Sequence, residues 1–204
     1  MDQTLHIREA GIADAARLLE IYEPYVKDTA ITFETEVPKL EEFGGRITEI
    51  RKKYPYLVAE QEGRIIGYAY ASAFHPRAAY AWNVETSIYL DMEARRQGAG
   101  RLLYEALEDA LRRMGVLNLN ACIASPEKED EHLTRNSIQF HEHMGFSLVG
   151  EFHHSGFKFG RWYNMVWMEK LIGVHDADPA PVIPYPALPA SDFASGKSEA
   201  GSPE

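Results

Sequence analysis

The sequence predicts one mixed α/β domain of the α+β type, a mostly antiparallel sheet flanked by helices, and three observations carry that reading. Segments of strand period and helix period alternate through the first 172 residues in the order β-α-α-β-β-β-α-β-α-β-β. A chain of 204 residues, 45% hydrophobic and 25% charged, can bury one sizeable core but hardly a second. After Ile172 both periods stop, and the stretch beginning GVHDADPAP is crowded with Pro, Ala, Ser and Asp. Residues 1–172 are therefore read as the domain and 173–204 as a flexible tail, within which PVIPYPALP could still lie as an extended strip on a neighbouring surface. The tail has one lysine against five carboxylates, so it holds four of the chain's ten net negative charges.

Each element has its local reason. TLHIREA alternates as a first strand, and Asp14 is placed to cap a helix whose apolar side is Leu18, Ile21, Tyr22, Tyr25 and Val26, with Pro24 expected to kink it. Pro38, a favoured first-turn residue, opens a second helix toward Lys53. YLVAEQEGRIIGYAYAS reads as a hairpin turning at Glu62-Gly63, followed by a strand over Asn83 to Leu90. ARRQGAGRLLYEALEDALRRMG is a loop and a strongly amphipathic helix, VLNLNACIA a strand, and NSIQFHEHMG a short helix closed by Gly145. FSLVGEFHH and RWYNMVWMEKL are a final antiparallel pair.

Charge and cysteine content narrow the function. A net charge of −10 argues against nucleic acid or an anionic membrane as partner, since both are met through basic surfaces. The single cysteine, Cys122, cannot form an intrachain disulfide, and neither a signal peptide nor a spanning apolar run is present, so the expected location is the cytoplasm. No metal is expected. His141 and His143 lie two apart on a predicted helix, His153 and His154 alternate across a strand, and HEHMG lacks the zinc-protease spacing.

The chemistry gathers at the loop before the third helix. Gly98 and Gly100 at a helix start leave outward-pointing N–H groups at the positive end of the helix dipole, which suits a phosphate or pyrophosphate, and Arg95, Arg96 and Arg101 add charge. On these residues alone, a glycine-softened helix start with solvated arginines is an equal reading. The third glycine of a dinucleotide loop and the Gly-Lys-Ser/Thr of a P-loop are both absent.

The motif Arg95-x-x-Gly98-x-Gly100, in this element order, resembles the loop of the GNAT N-acetyltransferases. TFETE, YPYLVAE, GYAYAS, RAAYAWNVETSIYL and FKFGRWYNMVWME are similar to their phosphinothricin and methionine sulfoximine acetyltransferase subfamily over residues 4 to 171. The resemblance implies acetyl-CoA as cosubstrate, a small amine as acceptor and a homodimer. It implies that Arg95, Arg96, Gln97, Gly98, Ala99, Gly100 and Arg101 hold the pyrophosphate, and that the main chain of Ile88, Tyr89 and Leu90 pairs with the pantetheine arm, a backbone N–H near Ile88 serving as oxyanion donor. Among Thr134, Asn136 and Ser137, the last two are the preferred pantetheine contacts. Glu85 is implied as general base. His141 stands where many of these enzymes carry a tyrosine general acid, and it could donate that proton, only hydrogen-bond the sulfur, or be packed structurally. Phe33, Arg77 and Tyr80, with Glu85, are the implied acceptor residues, Arg77 gripping an α-carboxylate through two parallel hydrogen bonds. Two other functions stay open: acetylation of a protein N-terminus or polyamine, and CoA binding without turnover.

Overall fold

The computed structural model describes residues 4–94, 98–190, 193 and 196–197. Its elements are β1 (Thr4–Glu9), α1 (Ala15–Asp28), α2 (Leu40–Arg51), β2 (Tyr56–Gln61), β3 (Arg64–Ala73), β4 (Asn83–Leu90), α3 (Ala99–Met114), β5 (Asn118–Ser125), α4 (Asn136–His143), β6 (Ser147–Lys158), β7 (Arg161–Leu171) and a two-residue strand, β8 (Gly196–Lys197). One sheet holds all the strands in the order β6-β7-β5-β4-β3-β2-β1-β8. Every pairing is antiparallel except β4 with β5, where α3 is the crossover that a parallel pair requires.

Both hairpins turn on two successive positive-φ residues, Glu62-Gly63 and Phe159-Gly160, the geometry whose twist matches that of paired strands. The apolar faces of the helices make two cores, one on each side of the sheet. Leu103, Tyr104, Leu107 and Leu111 of α3 pack on one side, and Leu18, Ile21, Tyr22, Tyr25, Phe43 and Ile47 of α1 and α2 on the other.

Three expectations about the fold need correction. Asp14 precedes α1 but does not cap it: its carboxylate accepts the Gly11 N–H at 2.7 Å and pairs with Arg8, closing a short 3-10 turn over Ile12–Asp14. α2 starts at Leu40, because the chain is still extended at Lys39 and the buried Pro38 lies outside the helix. β6 continues past the expected His154 to Lys158 by shifting register twice against β7.

The tail, expected to be flexible unless PVIPYPALP lay as a strip on a neighbouring surface, follows the second course. Its described part up to Ala190 is docked. The Ile183 N–H donates to the carbonyl of Met114, the last residue of α3, at 2.8 Å, and the Tyr185 N–H donates to the Lys53 carbonyl at 2.9 Å. Trp82 Nε1 donates to the Ala180 carbonyl at 2.7 Å, and Arg113 to the Pro189 carbonyl at 2.5 Å. Tyr185 itself is buried in the α3-side core, with its hydroxyl on Glu9 at 3.0 Å. The segment thus satisfies carbonyls that helix termini leave unpaired, a role that needs no periodicity of its own.

Replacing Tyr185 with alanine is expected to lower the unfolding free energy by about 2–4 kcal/mol, the usual cost of deleting a buried large side chain. Denaturant titration checks it, and a change below about 0.5 kcal/mol would mean an undocked tail.

Candidate active site

β4 carries the site, because its alternate residues face opposite sides of the sheet. Val84 and Ile88 pack in the core on the α3 side, where Thr86 is also turned. Glu85, Ser87 and Tyr89 line a cavity of about 600 Å³ on the other side, together with Tyr22, Tyr56, Tyr68 and Tyr70.

The parallel pairing of β4 with β5 lasts only three residue pairs, Asn83 with Asn118, Val84 with Leu119 and Glu85 with Asn120. Asn120, buried, explains the stop. Its side-chain amide donates to the Val84 carbonyl at 3.0 Å and to Asn83 Oδ1, while its own carbonyl accepts the Thr86 hydroxyl at 3.1 Å. Past this knot the strands part, leaving a narrow slot of about 50 Å³ between Thr86–Tyr89 on one side and Ala121–Ala124 on the other, closed by Ser137 and His141 of α4.

Glu85 sits where the slot begins and lines the larger cavity. It is half-buried, and among the described residues nothing hydrogen-bonds or ion-pairs with its carboxylate. Burial raises its pKa above the ordinary glutamate value. Such a carboxylate holds a proton more readily than an exposed one.

His141 is 3% exposed, and both ring nitrogens are engaged. Nδ1 donates to the Ser137 carbonyl at 2.7 Å, so Nε2 accepts from the Tyr104 hydroxyl at 2.8 Å. Tyr104 Oη in turn lies 2.8 Å from Thr86 Oγ1. Burial pushes the imidazole pKa down to about 4. At neutral pH its only ring proton is committed to Ser137, which leaves none for a thiolate and counts against the general-acid expectation.

At the start of α3, Gly98 is the N-cap with φ 81° and ψ −7°, a left-handed conformation that a side chain would strain. Ala99 and Gly100 open the first turn of α3, the part of a helix whose N–H groups have no intrahelical acceptor. Gly100 also serves packing, since a Cβ there would meet Leu90 and Phe140 at 3.3 Å. Arg101 turns along the helix to pair with Glu105 at 2.8 Å. Arg95, Arg96 and Gln97 lie outside the described residues.

The remaining expected residues divide. Ile88, Tyr89 and Ser137 line the slot. The Leu90 main chain is taken up by Tyr25, whose hydroxyl donates to its carbonyl at 2.7 Å and lies 3.1 Å from its N–H, so it is not open to a pantetheine arm as expected. Asn136 is exposed at the first turn of α4, its N–H 3.4 Å from the Thr134 hydroxyl. Of the four expected acceptor residues only Glu85 lines the 600 Å³ cavity. Phe33 lies with its ring against Gly156, and Arg77 and Tyr80 stand exposed on the turn after β3. Sequence reasoning missed Asn120, Thr86 and Tyr104. The polar residues of VLNLNACIA, Asn118 and Asn120, share one strand face, and a buried asparagine there was the available signal.

The low pKa of His141 has a consequence for stability. Between pH 6.5 and 4 the unfolded chain binds a proton at this ring that the folded chain refuses, so stability falls as the pH drops through that window and levels off below it. The full effect is about 3 kcal/mol. Unfolding titrations across this range are expected to show that loss in the wild type and a shallower slope in His141→Gln; parallel slopes would place the ring in a wetter environment.

The chain resembles known proteins along most of its length. It is 31% identical to the phosphinothricin N-acetyltransferase of Streptomyces viridochromogenes, covering 88% of this chain and 94% of that protein. It is 34% identical to the L-methionine sulfoximine/L-methionine sulfone acetyltransferase of Pseudomonas aeruginosa, covering 80% and 92%. The crystal structure of a GNAT superfamily phosphinothricin acetyltransferase from Sinorhizobium meliloti, in complex with AcCoA, superposes with a TM-score of 0.78 at 38% identity, covering 89% of this chain and 94% of that one. Residues 7–167 match the acetyltransferase (GNAT) domain, and with the parted β4–β5 pair beside a glycine-started α3, the chain belongs to the GNAT acetyltransferase family.

Proposed function

We propose that this acetyltransferase moves an acetyl group from acetyl-CoA to the α-amine of a small amino acid or amino-acid analogue, with Glu85 as the base. The observation that carries the reading is the unpartnered, half-buried Glu85 carboxylate at the point where the strands part, at the lip of a cavity large enough for an amino acid. An ammonium cannot attack a thioester; a carboxylate of raised pKa beside it takes its proton. The named activities of the relatives, acetylation of phosphinothricin and of methionine sulfoximine or sulfone, support this acceptor class.

The cosubstrate supplies an activated acetyl thioester, and the chain has groups suited to hold it. The first-turn N–H groups of Ala99 and Gly100, together with the left-handed Gly98, suit a pyrophosphate. The unpaired strand edges of Ile88 and Tyr89, with Ser137 opposite, suit the amide groups of a pantetheine arm. His141 acts by position in this reading: neutral and locked, it fixes one wall of the slot. Arg77, exposed and outside the cavity wall, is the proposed grip for the acceptor's carboxylate at the rim.

Glu85→Gln keeps the shape and removes the base. It is expected to bind acetyl-CoA as the wild type does, to lose about 10²- to 10⁴-fold in turnover at pH 7, and to regain part of it as rising pH frees the amine. In the same thiol-release assay, Arg77→Ala should weaken amino acids and spare amines without a carboxylate. Full activity in Glu85→Gln would sink the base assignment.

The chain is further proposed to work as a homodimer in the cytoplasm. β6 ends the sheet with Leu148, Val149, Phe152 and Phe157 each more than half exposed, a strip that a monomer gains by covering. No helix of the described residues is long and apolar enough to cross a membrane. Sedimentation is expected to give twice the 23.1 kDa chain mass, and a monomer at micromolar concentration would contradict the pairing.

A further inference from the structure

The cavity beside Glu85 is walled by tyrosines. Tyr56 lies against Tyr70 and Tyr68 with ring centroids 4.8 and 5.8 Å apart, Tyr68 against Tyr89 at 5.3 Å, and Tyr89 against Tyr22 at 4.9 Å. Apolar rings would make the same stacks, so the hydroxyls call for a separate reason. Tyr22 has one, a hydrogen bond to Thr32 Oγ1 at 2.8 Å. Tyr56 and Tyr68 are 3% and 1% exposed, and among the described residues neither hydroxyl has a hydrogen-bond partner. A buried hydroxyl without a partner is destabilising and uncommon, and a cavity wall is where a ligand can supply one.

The neighbouring charges indicate what kind of ligand. Arg46, the cavity's guanidinium, is engaged by Glu34 at 2.5 Å and Glu42 at 2.6 Å. Glu85, Glu34 and Glu49 also line the wall, so an anionic group entering here meets three carboxylates and only a neutralised cation. Burial keeps the phenols protonated, so they are neutral donors. A neutral group with hydrogen-bond-accepting oxygens fits this wall; a carboxylate or a bare hydrocarbon fits it less well.

We propose that Tyr56 and Tyr68 are specificity-determining residues that donate hydrogen bonds to a neutral, oxygen-bearing group at the far end of the acceptor's side chain, such as a sulfone, sulfoxide or amide. This rests on the acceptor reading proposed above, with the amine at Glu85 and the side chain directed into the tyrosine-lined cavity. It selects among amino acids by the polarity of the side-chain tip, independently of any grip on the α-carboxylate.

The test compares methionine sulfone with norleucine, a similar chain without the oxygens, in the wild type, Tyr56→Phe and Tyr68→Phe. The wild type is expected to prefer the sulfone in kcat/KM, and each variant to lower that preference about fivefold, the scale of one neutral hydrogen bond. Because the lost hydroxyl leaves no protein partner unpaired, the melting temperature of each variant should hold or rise. A preference within twofold of the wild type in both variants overturns the inference, as does a fall in melting temperature without a change in preference, which would mark the hydroxyls as structural. A wild type that acetylates both amino acids equally overturns it while leaving the proposed function standing. A wild type that binds acetyl-CoA and acetylates neither overturns the proposed function as well.

Discussion

The site depends on one interruption of a ladder. β4 and β5 are the molecule's only parallel neighbours among the described strands, and a parallel pair has slanted, slightly weaker bonding to lose. Asn120 ends the pairing by occupying groups a continued ladder would use: its amide takes the Val84 carbonyl, and its carbonyl takes the Thr86 hydroxyl. An uninterrupted sheet would have no slot, and Glu85 would be one more strand residue between paired neighbours. The buried asparagine is tolerable because its side-chain NH2 finds two acceptors and its main-chain carbonyl a donor within the knot it makes.

The two faces of β4 then differ in kind. Toward α3 the strand meets a run of close polar contacts from Asn120 through Thr86 and Tyr104 to His141 and Ser137, with Tyr104 fully buried and His141 nearly so. Low dielectric and fixed partners hold the imidazole neutral and motionless. Toward α1 and α2 the strand meets a cavity where Glu85 has no partner and two tyrosine hydroxyls have none among the described residues. One side is satisfied by the protein itself; the other offers unmet hydrogen-bonding capacity to whatever enters. Period-two alternation along Val84–Tyr89 assigns each residue to its side.

The tail shows the same complementarity at the edge of the fold. α3 ends at Met114 with carbonyls that lack helical partners, and the chain returns some seventy residues later to donate to one of them through Ile183. Tyr185 follows into the α3-side core, which extends the hydrophobic packing beyond the residues that match the family domain. Tyr56 lines both the cavity beside Glu85 and a second groove on which Tyr185 also borders.

The amino-acid sequence by itself determined the succession of elements through Leu171, because alternation, the 3.6-residue period and the Gly-containing turns are local properties that each segment carries alone. It also placed Glu85 on a strand and Gly98 at a helix start, since both sit in strongly patterned stretches. Tertiary structure decided what each of those residues meets. Periodicity cannot show that His141 is buried against Tyr104, because the depth of a helix face depends on the element packed over it, and burial is what lowers its pKa. Nor can it show that Leu90 is held by Tyr25, 65 residues away, or that a proline-rich tail finds the carbonyls left open by α3. The cavity wall was equally out of reach: Tyr22, Tyr56, Tyr68, Tyr70 and Tyr89 come from four elements, and only the registers of β2, β3 and β4, with α1 laid across them, bring the rings together.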